Sequence, residues 1–135
     1  MIHQSDQVLN AMGDWCQKHH AKSGLTESVR QSKISLKECE ETVHEFLVKH
    51  TKKGACPLAG NSVGQDAKFL EKYMPKITQH LHYRIIDVST IKELTKRWYP
   101  EIAREAPKKR LSHRALDDIK ESIEELKFYR KKVFK

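Results

Sequence analysis

The sequence predicts an α/β fold, rich in helix and carrying a small parallel sheet, on three observations. Apolar residues recur at the 3.6-residue helical period in several segments. Two short runs, 56–60 and 83–88, are apolar or β-branched and bounded by turn or polar residues, as strands are. Helical stretches lie before, between and after those runs, which is the alternation of an α/β arrangement. Two strands are few for such a fold, so part of the sheet is expected to lie outside this chain.

Taken in order, residues 6–18 place Val8, Leu9, Met12, Trp15 and Cys16 on one helical face. Ser23-Gly24-Leu25-Thr26 ends that unit, and Thr26 can cap a short helical turn onward to Arg30. Ser35 and Glu38 form a capping box. Behind them Leu36, Cys39, Val43, Phe46, Leu47 and His50 keep the helical period. Lys53-Gly54 breaks the helix, and Cys56-Pro57-Leu58-Ala59-Gly60 reads as a buried strand with Pro57 near its start. Residues 65–73 read as helix ending before Pro75, and residues 83–88 as the second strand. Residues 89–98 follow as helix, with Ile91, Leu94 and Trp98 on one face and Pro100 as the stop. A basic loop, 106–111, leads to a last helix whose Ala115, Leu116, Ile119, Ile123 and Leu126 form an apolar stripe.

Composition narrows the class. At 135 residues the chain has the length of one domain, 1–135. It is 38% hydrophobic and 33% charged, a balance that implies a thin core or a fold lacking buried elements. No apolar run approaches the ~20 residues that span a bilayer, so no membrane association is expected. The opening Met1-Ile2-His3-Gln4-Ser5-Asp6 carries neither a secretory nor a transit pattern. Cys16, Cys39 and Cys56 are odd in number and widely spaced, which reads as free thiols of a reducing compartment. The expectation is an intracellular protein of the cytoplasm or mitochondrion. Twenty-six Lys and Arg against 18 Asp and Glu give a formal charge of +8, a balance that favours polyanionic partners.

Three constellations carry candidate chemistry. Gly60-Asn61-Ser62-Val63-Gly64-Gln65-Asp66 links a strand to a helix and sets Asp66 near the strand's C-terminal end, where α/β folds keep ligands. Asp66 could equally serve only to complement a helix dipole. Ser112-His113-Arg114-Ala115-Leu116-Asp117-Asp118 puts a histidine and an acid at a helix start, where a histidine beside a carboxylate-bound metal can deprotonate water. Its plain reading is a Ser112 cap with dipole-complementing acids and an exposed His113. Trp15, with His19 and His20 on the same helix, can stack on a base or simply fill a core. Cys16, His19, His20 and Cys39 lack the paired spacing of structural zinc sites. Neither a phosphate loop with Lys-Ser/Thr nor a nucleophile elbow is present, so covalent serine or cysteine hydrolysis has no support.

Taken together and in order, these stretches resemble the oligoribonucleases, 3′-to-5′ exonucleases of the DEDDh group with an RNase H-like fold. The resemblance runs from His3 to about Phe134. It is carried by Met12-Gly13-Asp14-Trp15-Cys16 with His19-His20, Ser23-Gly24-Leu25-Thr26, Pro57-Leu58-Ala59-Gly60-Asn61-Ser62 and Phe69-Leu70 with Tyr73-Met74-Pro75. His82-Tyr83-Arg84, Asp87-Val88-Ser89-Thr90 and the His113 to Asp118 segment complete it.

The resemblance implies a two-metal site for Mg²⁺ or Mn²⁺, in which four acids hold ions ~3.5–4 Å apart. Asp66 matches the third acid, Asp118 the fourth, and His113 the histidine that deprotonates water. Trp15 matches an aromatic that wedges against a base, with His20 in the same substrate-binding segment. Ser62, Arg84 and Ser89 match residues that hold the 5′ phosphate of a dinucleotide. Tyr83 matches a tyrosine that reaches into the partner subunit's site of a homodimer. The family's first two acids, an Asp-x-Glu pair, are not found near this N-terminus: Asp6 is followed by Gln7-Val8 and Asp14 by Trp15-Cys16. The expectation is therefore an incomplete RNase H-like fold truncated at its N-terminal side, with an exposed apolar patch and impaired turnover. The alternatives are a non-catalytic nucleotide-binding or dimerising module of the same descent, and a basic helical protein that binds nucleic acid by charge alone.

Overall fold

The computed structural model describes residues 1–107 and 115–134. The chain opens with α1 (Asp6–Asn10), α2 (Asp14–Lys22), α3 (Leu25–Gln31) and α4 (Leu36–His50). Strand β1 (Pro57–Gly60) leads into α5 (Gly64–Tyr73) and α6 (Pro75–His80), then β2 (His82–Asp87). Helices α7 (Val88–Trp98), α8 (Pro100–Arg104) and α9 (Ala115–Lys132) follow. Among the described residues the sheet is β1 and β2 alone, paired in parallel through the α5–α6 crossover. The α/β class, rich in helix with a small parallel sheet, is the one the sequence predicts.

Local chemistry explains most boundaries. Ser35 caps α4 by accepting from the Glu38 N–H at 3.2 Å, while the Glu38 carboxylate accepts from the Ser35 N–H at 2.7 Å. The Ser35 hydroxyl, donating to Glu38 Oε2 at 2.6 Å, and the Ser35 N–H hold the Glu38 carboxyl below its ordinary value. The two prolines do more than stop helices. Pro75 and Pro100 each stand at the first turn of a new short helix, where the missing N–H costs nothing.

Two helical expectations need correction. The single helix over 6–18 is divided at Gly13, whose extended backbone (ψ 155°) caps α2. The Gln17 side chain then donates to the carbonyls of Asn10 and Met12, at 2.9 and 2.7 Å, satisfying acceptors the break would leave open. Helix α3 is preceded by Gly24 in the left-handed region (φ 75°), and Thr26 lies inside the helix instead of capping it. Only glycine takes that conformation without a Cβ penalty.

Helix α4 packs on α6, and α6 packs on α5 and β2. Helices α7 and α9 pack on β1 and on each other, while α2 packs chiefly on α3. Buried polar groups pin these contacts. Glu40 of α4 is buried and accepts from the Lys76 N–H at 2.8 Å, capping α6 from a neighbouring helix. Thr51 donates its one hydroxyl hydrogen to the Leu47 carbonyl, so the buried His80 must donate Nε2–H to Thr51 Oγ1 at 2.9 Å.

The last helix turns its apolar stripe outward. Leu116, Ile119 and Ile123 of the apolar stripe are exposed, whereas Glu125 and Tyr129 are buried and Asp118 and Ser122 half-buried. The polar face turns inward because Asn61 and Lys92 supply partners for it there. Other large apolar groups lie open too, among them Ile85 and Ile86, neighbours that point to opposite sides of β2. Accessible area totals 10526 Å² for 15.8 kDa. A closed monomer of that mass exposes about 7,300 Å². The chain thus exposes far more surface than a closed monomer of its mass.

Candidate active site

The site is built where both strands end. The ladder pairs Pro57 with His82, then Leu58 with Ile85, Ala59 with Ile86 and Gly60 with Asp87. One step along β1 therefore spans three along β2, leaving Tyr83 and Arg84 without ladder partners. A bulge of this kind re-aims side chains. Tyr83 is 81% exposed, and the Arg84 guanidinium lies 5.3 Å from its ring centre. The Arg84 N–H turns to His82 Nδ1 at 3.0 Å, which places the His82 ring hydrogen on Nε2.

At the C-terminal ends of the strands, Asp87 gathers the two predicted serines. Its Oδ1 accepts from the Ser62 N–H at 2.9 Å, from the Ser89 N–H at 2.9 Å and from the Ser89 hydroxyl at 2.6 Å. Burial pushes the Asp87 carboxyl up, but the bonds from Ser89, Ser62 and Val63 outweigh it and hold the group below the usual carboxylate value. Ser62 has φ 54°, the left-handed region, and is the only non-glycine residue there among those described. A serine held so stores strain of order 1 kcal/mol or more, which the Asp87 bond offsets.

The predicted acids stand on the flanking helices. Asp66 is exposed in the first turn of α5, and Asp118 is half-buried near the start of α9. Asn61 ties the loop after β1 to the helix that carries Asp118. Its amide donates to Ser122 Oγ at 2.8 Å and to Glu125 Oε2 at 3.1 Å, and Ser122 donates in turn to the Asp118 carbonyl at 2.8 Å. The Glu125 carboxylate also takes Lys92 Nζ at 3.2 Å and the Tyr129 hydroxyl at 3.3 Å. Burial and that neighbouring carboxylate push Tyr129 up to about 12.

His113, the predicted base, lies outside the described residues. Trp15 is exposed on α2 with its ring stacked on His19 at 4.0 Å, and His20 is half-buried one position on. The structure thus brings Ser62 and Ser89 onto one carboxylate, with Arg84 turned out upstream on the same strand. It sets Trp15 and His20 on a helix that packs elsewhere.

Aspartates are hard oxygen donors of the type that Mg²⁺ and Mn²⁺ take. Yet no three His, Cys, Asp or Glu groups converge among the described residues, so these do not make a cage for ions by themselves. Two residues of this junction, Asp87 and Asn61, lie in the stretches quoted from the sequence but carry no role there. The Asp-x-Ser spacing of Asp87 and Ser89 is a helix-cap signal that could have flagged the first. Nothing local marks Asn61, whose partners lie 61 and 64 residues away.

Comparison with known proteins adds an independent line. The family model described as exonuclease, RNase_T, matches residues 1–126. A protein of Dictyostelium discoideum named a probable oligoribonuclease is 65% identical over 135 residues, covering all of this chain and 70% of that protein. The human mitochondrial oligoribonuclease is 59% identical over 135 residues, which are 57% of its length. The oligoribonuclease of Marinobacter nauticus is 53% identical over 134 residues, 74% of its length. This chain therefore spans between just over half and three quarters of the lengths of these relatives.

Proposed function

Since this chain belongs to the oligoribonuclease family of exonucleases, we propose that it acts as a single domain over residues 1–135 on very short RNA, with dinucleotides as its preferred substrate and 3′-to-5′ removal of nucleotides as its reaction. The observation that carries the reading is the convergence of Ser62 and Ser89 on Asp87 at the strand ends, downstream of a bulge that turns Arg84 out. Serine hydroxyls and a guanidinium are residue types that suit the 5′ phosphate of a dinucleotide, since Arg presents a fork of donors to phosphate oxygens. A site that grips this end limits the length of RNA that also reaches the acids.

Asp66 and Asp118 are the carboxylates this chain would offer to Mg²⁺ or Mn²⁺, and His113 the base. Bound divalent ions would supply charge stabilisation for the displaced oxygen. Of the family's four acids the 135 residues hold two, and no Asp-x-Glu is among them. Turnover by this chain alone is accordingly expected to be slow. The highly exposed Tyr83 supports its assignment to a partner subunit's site, and hence a homodimer. Three free cysteines support a reducing compartment, cytoplasmic or mitochondrial. No described helix is long and apolar enough to cross a membrane.

A second reading, a non-catalytic nucleotide-binding or dimerising module, draws support from the exposed Ile85 and Ile86 and from the lack of any group of three converging metal donors among the described residues. Titration of labelled dinucleotide and of a longer RNA in EDTA, followed by Mn²⁺ addition, tests both. Tighter binding of the dinucleotide, with slow cleavage that Asp118→Asn abolishes, is the expected result. Binding without any cleavage favours the module. Binding indifferent to length and steep in salt overturns both readings.

A further inference from the structure

We infer that the end of the sheet where the strands begin is a second nucleic-acid surface, one that takes the backbone of single-stranded RNA longer than a dinucleotide. The two strands are parallel, so Pro57 and His82 start at one end and the candidate active site lies at the other. The six residues of β2 set about 20 Å between the two ends. Hydrogen bonds seat the turn after α4 beside the start of β2. The Gly54 N–H donates to the His80 carbonyl at 2.8 Å, and the His82 N–H to the Cys56 carbonyl at 2.9 Å.

Charge is distributed unevenly along the chain. Residues 46–65 hold Lys49, Lys52 and Lys53 but no Asp or Glu, and residues 72–86 hold no Asp or Glu either. All three lysines are exposed. Among the described residues none of the three pairs with a carboxylate, not even with Glu45 one turn before Lys49. Elsewhere cations are matched locally: Lys96 and Arg97 by Glu93, Lys127 by Glu124 and Lys132 by Glu105. Lys49, in the last turn of α4, would by itself only complement that helix's end. Lys52 and Lys53 lie past the helix, in the turn, and have no such task. Ammonium groups grouped without counter-charge attract a polyanion and release its condensed ions.

Phe46 favours RNA over other polyanions. It is 61% exposed, one turn before Lys49, with its ring 4.4 Å from that of His50. A ring beside lysines offers the base a face to stack on and the phosphates a counter-charge, the combination that sequence-tolerant binders of single strands use. A dinucleotide has too few phosphates to engage all three lysines, so the surface acts on longer strands. The inference does not rest on the reading of the strand ends.

Binding to the full chain in EDTA is measured over a range of salt, for a labelled single-stranded RNA of about 12 nucleotides and for a dinucleotide. The triple variant Lys49→Gln, Lys52→Gln, Lys53→Gln should flatten the slope of log affinity against log salt by about 2 for the longer RNA, at about 0.7 for each phosphate contact. Between ~50 and ~200 mM salt the wild-type chain should therefore lose about 20-fold more affinity than this variant. Dinucleotide binding should not move. A control with the same change of charge, Lys96→Gln, Lys127→Gln, Lys132→Gln, should keep the wild-type slope. Phe46→Ala should weaken the longer RNA about tenfold at every salt concentration.

An unchanged slope in the first variant, or an equal drop in the control, overturns the inference and leaves net charge as the cause. Lost dinucleotide binding in the first variant overturns it too, because the lysines would then belong to the strand-end site. Tighter binding to vesicles of equal parts phosphatidylserine and phosphatidylcholine than to the longer RNA, abolished in the same variant, reassigns the surface to membranes. A wild-type chain that ignores dinucleotide but holds the longer RNA with the stated slope upholds this inference and overturns the strand-end reading alone.

Discussion

The strand-end junction and the three N-terminal helices are held by opposite means. At the junction, the buried Glu125 carboxylate joins α9 to Lys92 of α7, to Asn61 of the β1–α5 loop and to Tyr129 of its own helix. In helices α1 to α3, the ties across the sequence are surface ones: Arg30 to Asp6 at 2.7 Å, the His3 N–H to the Ile34 carbonyl at 2.8 Å, and the Ser32 hydroxyl to the Met1 carbonyl at 2.7 Å. A bond inside low-dielectric surroundings is costly to lose, because the partner left behind is out of reach of water. A bond in solvent is replaced by water at little cost. The half that carries Ser62, Ser89 and Asp118 is therefore the rigid half, and the half that carries Trp15 and His20 is free to adjust.

The largest effect should come from Glu125→Ala. It removes the acceptor for Lys92, Asn61 and Tyr129 and opens a hole beside Tyr129. Breaking a buried pair from one side costs about 3–5 kcal/mol. Lys92 keeps about a third of its side chain in solvent and can turn outward, so a loss of about 2–3 kcal/mol is expected, with a melting temperature lower by about 10 °C. Glu125→Gln, which retains the acceptor for Asn61, should fall between. A fall of under two degrees in Glu125→Ala would show that the junction is held by something other than this carboxylate.

The junction also predicts an alkaline limit. Tyr129 titrates at 10.0 when exposed and at about 12 in the folded chain. Its raised value means that the folded state binds the phenolic proton more tightly than the unfolded state does. The contribution is complete below pH 10 and is lost as pH climbs from 10 toward about 12. Denaturant melts across that window should show stability falling with pH, and Tyr129→Phe should remove that slope, at a cost of about 1–2 kcal/mol at neutral pH for the donor taken from the buried Glu125. A slope unchanged in the variant would assign the alkaline loss to other groups.

These contrasts explain what could be read from the sequence. Ser35, Glu38 and the two strand runs were legible because capping and β-propensity act within a few residues. The same locality misled at Pro75 and Pro100, taken only as stops although a proline also suits the first turn of a helix. On α9 the sequence leaves the facing open, because an apolar stripe marks a core face only if apolar neighbours meet it. Here Asn61 and Lys92 meet the polar face instead, and Leu116, Ile119 and Ile123 stay in solvent. The bulge that frees Tyr83 and Arg84 belongs to the register between two strands, which neither strand states alone. For the site, the family resemblance marked the candidates Ser62 and Ser89, but the carboxylate joining them became visible only when the strand ends met.

The smallest effect, and the sharpest check on the contrast, is expected from Arg30→Ala. Arg30 makes two short ion pairs, to Asp6 at 2.7 Å and to Glu27 at 2.8 Å, and both raise its guanidinium pKa. Counted as contacts, it is better paired than Lys92. All three groups are well exposed, however, so water and salt already screen the attraction, and fixing long side chains costs entropy. The global melting temperature should stay within a degree of wild type, and added salt should leave the two proteins indistinguishable. Hydrogen exchange in α1 and α3 should quicken slightly while α9 is untouched, because the bond to Asp6 restrains only the approach of those helices. If instead Arg30→Ala lowers the global melt as far as Glu125→Ala does, the N-terminal helices are as integral as the junction, and the division into a rigid and an adjustable half is wrong.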